Sequence, residues 1–314
     1  MLIELIILLA SLGAIAFISD RIIIYVTKIS SFFGLSEMSA GFILLSVATS
    51  LPELFVSALA SVMNQGGISV GNVLGSNISN LTIILGLAVL LSRTRVVIDS
   101  TSEKELVQFL FMASLIPLFI LQRGSIGPIL GIVLLIFFAY FTISISKKAG
   151  KISSLGYFRK GEIRSIMIKF LIAIGLILIL SKLVVDNGVI IAQYLKLPPS
   201  VIGATLIALG TSLPELATTI QALKKHLFEM ALGNIFGSCI TNLTLVLGIS
   251  SLLSFSEVST IATGGMLFFT LISSLTVWYF VSTRKHFGKK TSLFIILIYV
   301  LFVLQQIGFS IFIF

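Results

Sequence analysis

A stretch of 46 residues occurs twice in this chain, inside segments apolar enough to enter a lipid bilayer. Gly41–Gly86 returns as Gly203–Gly248, offset by 162 positions without a gap, and 19 of the 46 paired positions are identical. The identities include Thr49/Thr211, Ser50/Ser212, Pro52/Pro214, Glu53/Glu215, Asn72/Asn234, Gly75/Gly237, Ser76/Ser238 and Asn80/Asn242. A repeat kept for packing would preserve its leucines and isoleucines. This one keeps the polar, proline and glycine residues that a lipid-spanning helix least favours. The two copies read as two halves of one binding site.

The surrounding sequence is that of a polytopic membrane protein. Hydrophobic residues make up 57% of the 314, charged residues only 11%, and the mean hydropathy is +1.16. A span needs about 20 apolar residues. Such segments fall at 2–28, 38–63, 70–91, 105–122, 126–146, 165–194, 199–223, 231–253, 258–282 and 291–312. The expected fold is all-α, with ten transmembrane helices. The first is read as a membrane helix rather than a cleaved signal, because Glu4 stands where a signal carries basic residues. A basic linker, 147–164, divides a first five-helix unit, 1–146, from a second, 165–314. Five is odd, so the second unit enters the membrane the other way up. The repeats are therefore inverted, a plan typical of secondary transporters with a site near the midplane.

Charge fixes the expected orientation. With the N-terminus outside, inner segments hold Lys28, Arg93, Arg95, Lys104, Lys147, Lys148, Lys151, Arg159, Lys160, Arg164, Lys169, Lys224, Lys225, Arg284, Lys285, Lys289 and Lys290, which is 17 of the 21 basic residues. Outer loops hold only Arg123 and Lys196. By the positive-inside rule the linker is cytoplasmic and both termini lie outside a cell membrane. The same asymmetry accounts for the net charge of +9 without a nucleic-acid partner. Cys239 is the single cysteine, so no intramolecular disulfide forms.

In the first motif, Ser46, Thr49, Ser50, Glu53 and Ser57 recur at three- and four-residue spacing, giving one polar helix stripe. Thr211, Ser212, Glu215 and Thr219 repeat it. Pro52 and Pro214 have no N–H, which frees the carbonyls of Ala48 and Gly210. Freed carbonyls within a bilayer must line a cavity or coordinate something. Carboxylate, hydroxyl and carbonyl oxygens together suit a hard cation. In the second motif, GNxxGS followed by Asn, Ser76 and Asn80 share a helix face, as do Ser238 and Asn242. Gly71, Gly75, Gly233 and Gly237 allow close helix contact. Of the twelve acids, only Glu53 and Glu215 lie mid-span with no basic residue within reach along the helix. A lone mid-bilayer carboxylate costs about 2.5–3.5 kcal/mol to insert, so two at equivalent positions call for a compensating cation. Asp20 beside Arg21, and Lys182 four residues before Asp186, read as local ion pairs.

These motifs, GATLIALGTSLPE at 203–215, ATSLPE at 48–53 and the two GNxxGS-plus-Asn segments, resemble the repeats of the calcium/cation antiporter superfamily, and within it the sodium/calcium exchanger family of prokaryotic type. The resemblance implies a central Ca2+ site from Glu53, Glu215 and the Thr49 and Thr211 carbonyls. It implies flanking Na+ sites, one from Thr49, Ser50, Ser76 and the backbone of Ser46, its mirror from Thr211, Ser212, Ser238 and the backbone of Ala208. Asn80 and Asn242 complete the middle. Ala48 departs from the family's glycine. Both asparagines are amides where some members, potassium-dependent ones among them, carry aspartate, so K+ is not expected to be needed. The GNxxE pattern typical of proton/calcium exchangers is absent.

The resulting expectation is a Na+/Ca2+ antiporter working by alternating access, with no cofactor, acting as a monomer in lipid. The rivals are an H+/Ca2+ antiporter and a cation channel. No Ser/His or Cys/His pairing suggests an enzyme.

Overall fold

The computed structural model describes residues 2–64, 66–92, 96–97, 101–146, 160–194, 208–253, 255–258, 260–283, 286–306 and 308. The chain opens with α1 (Leu2–Phe33), a pair of shorter helices, α2 (Glu37–Thr49) and α3 (Leu51–Val62), and α4 (Gly66–Ser92). Strand β1 (Val96–Val97), helices α5 (Thr101–Ser114) and α6 (Ile116–Arg123), strand β2 (Ser125–Ile126) and α7 (Pro128–Ser146) follow, before the stretch that carries the second copy of the repeat. The chain then runs through α8 (Lys160–Tyr194), α9 (Ala208–Thr211), α10 (Leu213–Lys224), α11 (Phe228–Leu253), β3 (Ser256–Glu257), α12 (Thr260–Thr283), β4 (His286–Phe287) and α13 (Lys289–Gln306). Among the described residues, seven helices are long and apolar enough to cross a membrane, or eight with α2 and α3 taken as one bent span. The expected span at 105–122 is interrupted at Leu115, between α5 and α6. The start of the span at 199–223 and linker residues 147–159 lie outside the described residues, while Lys160–Arg164 already belongs to α8.

The prolines break the spans where the motif placed them. Helices α2 and α3 meet at 45°. Ser50, at φ −82° and ψ 7°, and Ser212, at φ −89° and ψ 11°, each stand at the junction two residues before the proline. A second irregularity was not legible in the sequence. Asn80–Ile84 in α4 and Asn242–Val246 in α11 are π-helical, at equivalent places in the two repeats. Gly41–Ser46 in α2 is π-helical as well. Such single-turn widenings cluster at functional sites.

Burial separates a centre from a lipid-facing rim. Within the most apolar stretches of α4 and α11, 83% of residues are buried, against 17% in α1 and 28% in α8. Those two outer helices make the most extensive helix–helix contact in the molecule. At the centre, α2 and α11 approach through glycine. A Cβ on Gly233 would stand 2.7 Å from the Met38 carbonyl, and one on Gly41 would run into the Met230 carbonyl. Gly237 likewise faces Phe42 and Ser46. Gly71 meets only the end of Met266 at 3.9 Å, so close packing accounts for Gly233 and Gly237 and not for Gly71.

Among the described residues, two small antiparallel pairings join segments that follow the first copy of the repeat to segments that follow the second. Strand β1 pairs with β4, and β2 with β3. Lys182 and Asp186 form the expected pair at 2.7 Å. Asp20 corrects the expectation: it reaches Lys225 at 2.8 Å, across to the end of α10, while Arg21 lies over the Phe17 ring at 5.7 Å. Neighbouring residues on a helix point about 100° apart, so Asp20 and Arg21 do not face each other.

Candidate functional site

The junctions of α2 with α3 and of α9 with α10 bring the two SLPE segments together at the centre. All twelve candidate residues are at most 5% exposed, Glu53 and Glu215 not at all. The carboxylates are held crosswise. Ser212 Oγ donates to Glu53 Oε1 at 2.9 Å, and Ser50 Oγ donates to Glu215 Oε1 at 3.3 Å. Each glutamate thus takes a hydroxyl from the other repeat. Proline explains the register: the break turns the serine out of the helix column and toward the partner motif. Ser238 Oγ adds a second donor to Glu215 Oε1 at 3.3 Å.

Each glutamate is also braced from behind by an asparagine. Asn72 Nδ2 donates to the Glu53 carbonyl at 3.2 Å and to Ser57 Oγ at 2.9 Å. Asn234 Nδ2 donates to the Glu215 carbonyl at 3.4 Å and to Thr219 Oγ1 at 3.0 Å. Thr49 Oγ1 donates to the Leu45 carbonyl at 3.0 Å and reaches Asn234 Oδ1 at 3.4 Å. Thr211 Oγ1 donates to the Ala208 carbonyl at 3.1 Å. Ser46 Oγ donates to the Phe42 carbonyl and lies 3.4 Å from Thr241 Oγ1. Asn242 Nδ2 donates to Asn77 Oδ1 at 3.2 Å.

Several oxygens remain open. Glu53 Oε2, Glu215 Oε2, Ser76 Oγ, Asn80 Oδ1 and Asn242 Oδ1 are buried and find no hydrogen-bond partner among the described residues. No Lys or Arg pairs with either glutamate among those residues. A buried, unpartnered polar atom is costly unless something satisfies it. Two carboxylate oxygens, two amide oxygens and a hydroxyl form an all-oxygen donor set, the kind that Ca2+ and Na+ accept. No group of three or more His, Cys, Asp or Glu side chains that could hold a metal ion gathers among the described residues.

The bracing asparagines, Asn77, Thr241 and Cys239 are not marked as ligands by the two motifs. Asn72 and Asn234 could have been, since both copies keep them. Asn77 could not, because its counterpart is Cys239, and the two meet across the centre: Asn77 Nδ2 donates to the Cys239 carbonyl at 3.1 Å.

A family model described as sodium/calcium exchanger protein matches residues 3–147 and 165–308. The chain belongs to the sodium/calcium exchanger family. It is 32% identical over 293 residues to the inner membrane protein YrbG of Escherichia coli, covering 88% of this chain and 90% of that one. It is 31% identical over 332 aligned positions to the sodium/calcium exchanger MaX1 of Methanosarcina acetivorans, covering 90% and 93%. Among solved structures, the sodium-calcium exchanger NCX_Mj soaked with 10 mM Na+ and zero Ca2+ superposes with a TM-score of 0.78 at 28% identity, covering 96% of this chain and 97% of that chain. Family membership makes this a multi-pass membrane protein of an ion-exchanging family, with cations as its cargo.

Proposed function

We propose that this chain exchanges Na+ for Ca2+ across a cell membrane by alternating access, as a monomer and without a cofactor. The observation that carries the reading is the crosswise pair of buried carboxylates, each with one oxygen bonded by the opposite repeat and one left open. Two fixed charges of −1 balance one Ca2+ or two Na+ ions, so the same oxygens serve either cargo in turn. In this reading Glu53 and Glu215, with the Thr49 and Thr211 carbonyls, hold Ca2+. Ser46, Thr49, Ser50 and Ser76 flank it on the inner side, and Ala208, Thr211, Ser212 and Ser238 on the outer. Asn80 and Asn242 close the middle.

The architecture we infer is ten spans in two inverted five-helix repeats, with both termini outside. Two features support it. Equivalent π-helical turns follow Ser76 and Ser238 at the same distance in each repeat. The strand pairings join β1 to β4 and β2 to β3, loops that the inverted plan assigns to a common face in each case. Helices α1 and α8, packed on each other outside the buried centre, are the bodies that would shift to open one side and then the other.

The test is 45Ca uptake into proteoliposomes. An outward Na+ gradient should drive accumulation, whereas a pH gradient alone should not. Uptake driven by the pH gradient and indifferent to Na+ would assign the proton-coupled alternative. Conductive Ca2+ flux needing no cation on the opposite side would make the chain a channel.

A further inference from the structure

The two repeats differ behind their glutamates: the second has the bonded hydroxyl of Thr218 where the first has Val56, and the first has hydroxyls that the second lacks. Helices α3, α4 and the last turns of α11 meet on one side of the molecule, while α10, α11 and the last turns of α4 meet at the equivalent place on the other. The first junction carries Ser61, Ser69, Ser250 and Ser251. All four are completely buried, and none of their hydroxyls finds a hydrogen-bond partner among the described residues. The residues at the same repeat positions in the second junction are Leu223, Ala231, Ala88 and Val89, all buried and all apolar. The bracing asparagines follow suit. Asn234 Oδ1 is met by Thr49 Oγ1, but Asn72 Oδ1 is buried and without a partner among the described residues. The bond from Asn72 to Ser57 sets the register of α3 against α4. Ser61 is one turn beyond Ser57 and Ser69 about one turn before Asn72, so the two hydroxyls lie one step outward from the asparagine.

Five buried polar groups without partners among the described residues require another source of hydrogen bonds. Serine is smaller than the leucine and valine it stands against at two of the four positions, and buried water is what ordinarily satisfies buried polar groups of this kind. A cation is disfavoured, because hydroxyls and one amide oxygen supply no net charge to offset its desolvation. We propose that the junction of α3, α4 and α11 holds a file of bound water, lined by Ser61, Ser69, Ser250 and Ser251 and ending on Asn72 Oδ1, and that its counterpart is dry. On the topology proposed above, the wet junction lies on the outer side. The outer medium thereby reaches the back of the Glu53 half-site, while the back of the Glu215 half-site is sealed by side chains.

Single cysteines at Ser69→Cys and Ala231→Cys, in a Cys239→Ser background, test this with Ag+, a thiol reagent small enough to follow water. The readout is protection from fluorescein maleimide after denaturation. Ag+ applied outside should protect Ser69→Cys at least tenfold faster than Ala231→Cys from either side. Slow protection at both, or equally fast protection at both, overturns the proposal. Fast protection of Ser69→Cys from the inner side only keeps the water file and overturns the topology. A readout free of substitutions is hydroxyl-radical labelling of the unmodified protein. Val70 and its counterpart Leu232 are equally buried, 1% exposed each. Val70 should oxidise several-fold faster, and should fall to the rate of Leu232 in the combined variant Ser61→Leu, Ser69→Ala, Ser250→Ala, Ser251→Val. Equal rates in the unmodified protein, or an undiminished rate in the variant, would overturn the water file.

Discussion

Glu53→Gln keeps the shape of the side chain and still accepts from Ser212 Oγ, but removes one of the two buried charges. Ca2+ then faces a single carboxylate in a medium that screens poorly. Losing a charged partner in such a site costs about 3–5 kcal/mol, or roughly two to three orders of magnitude or more in affinity. Glu215→Gln is expected to do equal damage, since its carboxylate is bonded in mirror fashion. Glu257→Gln, in the β3 strand away from the site, should leave 45Ca transport unchanged. Near-native Ca2+ affinity in both site variants would refute the shared-carboxylate mechanism. Asn242→Asp probes the middle of the site. Asn242 Nδ2 donates to Asn77 Oδ1, a bond that an ionised carboxylate cannot make. The variant should therefore acquire an acid-range pH dependence of exchange that the native chain lacks. An unchanged pH profile would place the residue off the ion path. The residues that bear charge or an oxygen toward the centre were legible because both copies keep them. Those that orient them were legible only in part. The Asn77–Cys239 contact joins unlike residues, so comparing the repeats could not reveal it.

Helix breaks were readable at Pro52 and Pro214, because a missing N–H has one consequence in a helix. The π-helical turns after Ser79 and Thr241 were not, since no residue type demands them. The interruption at Leu115 has the same origin as the breaks at Pro52 and Pro214, since Pro117 stands two residues after it, and the continuous hydropathy of 105–122 masks it. Glycine positions show the same limit. The sequence offered Gly71 and Gly233 as equivalent, yet only Gly233 touches a neighbouring backbone. Gly233→Ala should force α11 from α2, with an overpacking cost of about 1–3 kcal/mol or more. Its melting temperature in detergent should fall clearly, and that of Gly71→Ala should stay near native. Equal melting temperatures would show that the α2–α11 approach does not depend on glycine.

At the scale of the molecule, charge asymmetry and the odd number of spans make one joint demand. A cysteine at Lys151 should label with an impermeant thiol reagent only from the cytoplasm, and one at Gly308 only from outside, both in a Cys239→Ser background. Labelling of both from one side would end the inverted plan. That plan also bears on how the chain can change over generations. Ser50 lies in one copy of the repeat, and the carboxylate it holds is encoded 165 codons downstream in the other. Ser212 and Glu53 repeat the arrangement in reverse. A substitution at either serine is felt by the opposite copy, so these positions cannot drift independently. Ser61 and Leu223, outside the crossing, have diverged completely. The crosswise bonds thus divide a duplicated gene into positions bound to a common history and positions free to acquire separate ones.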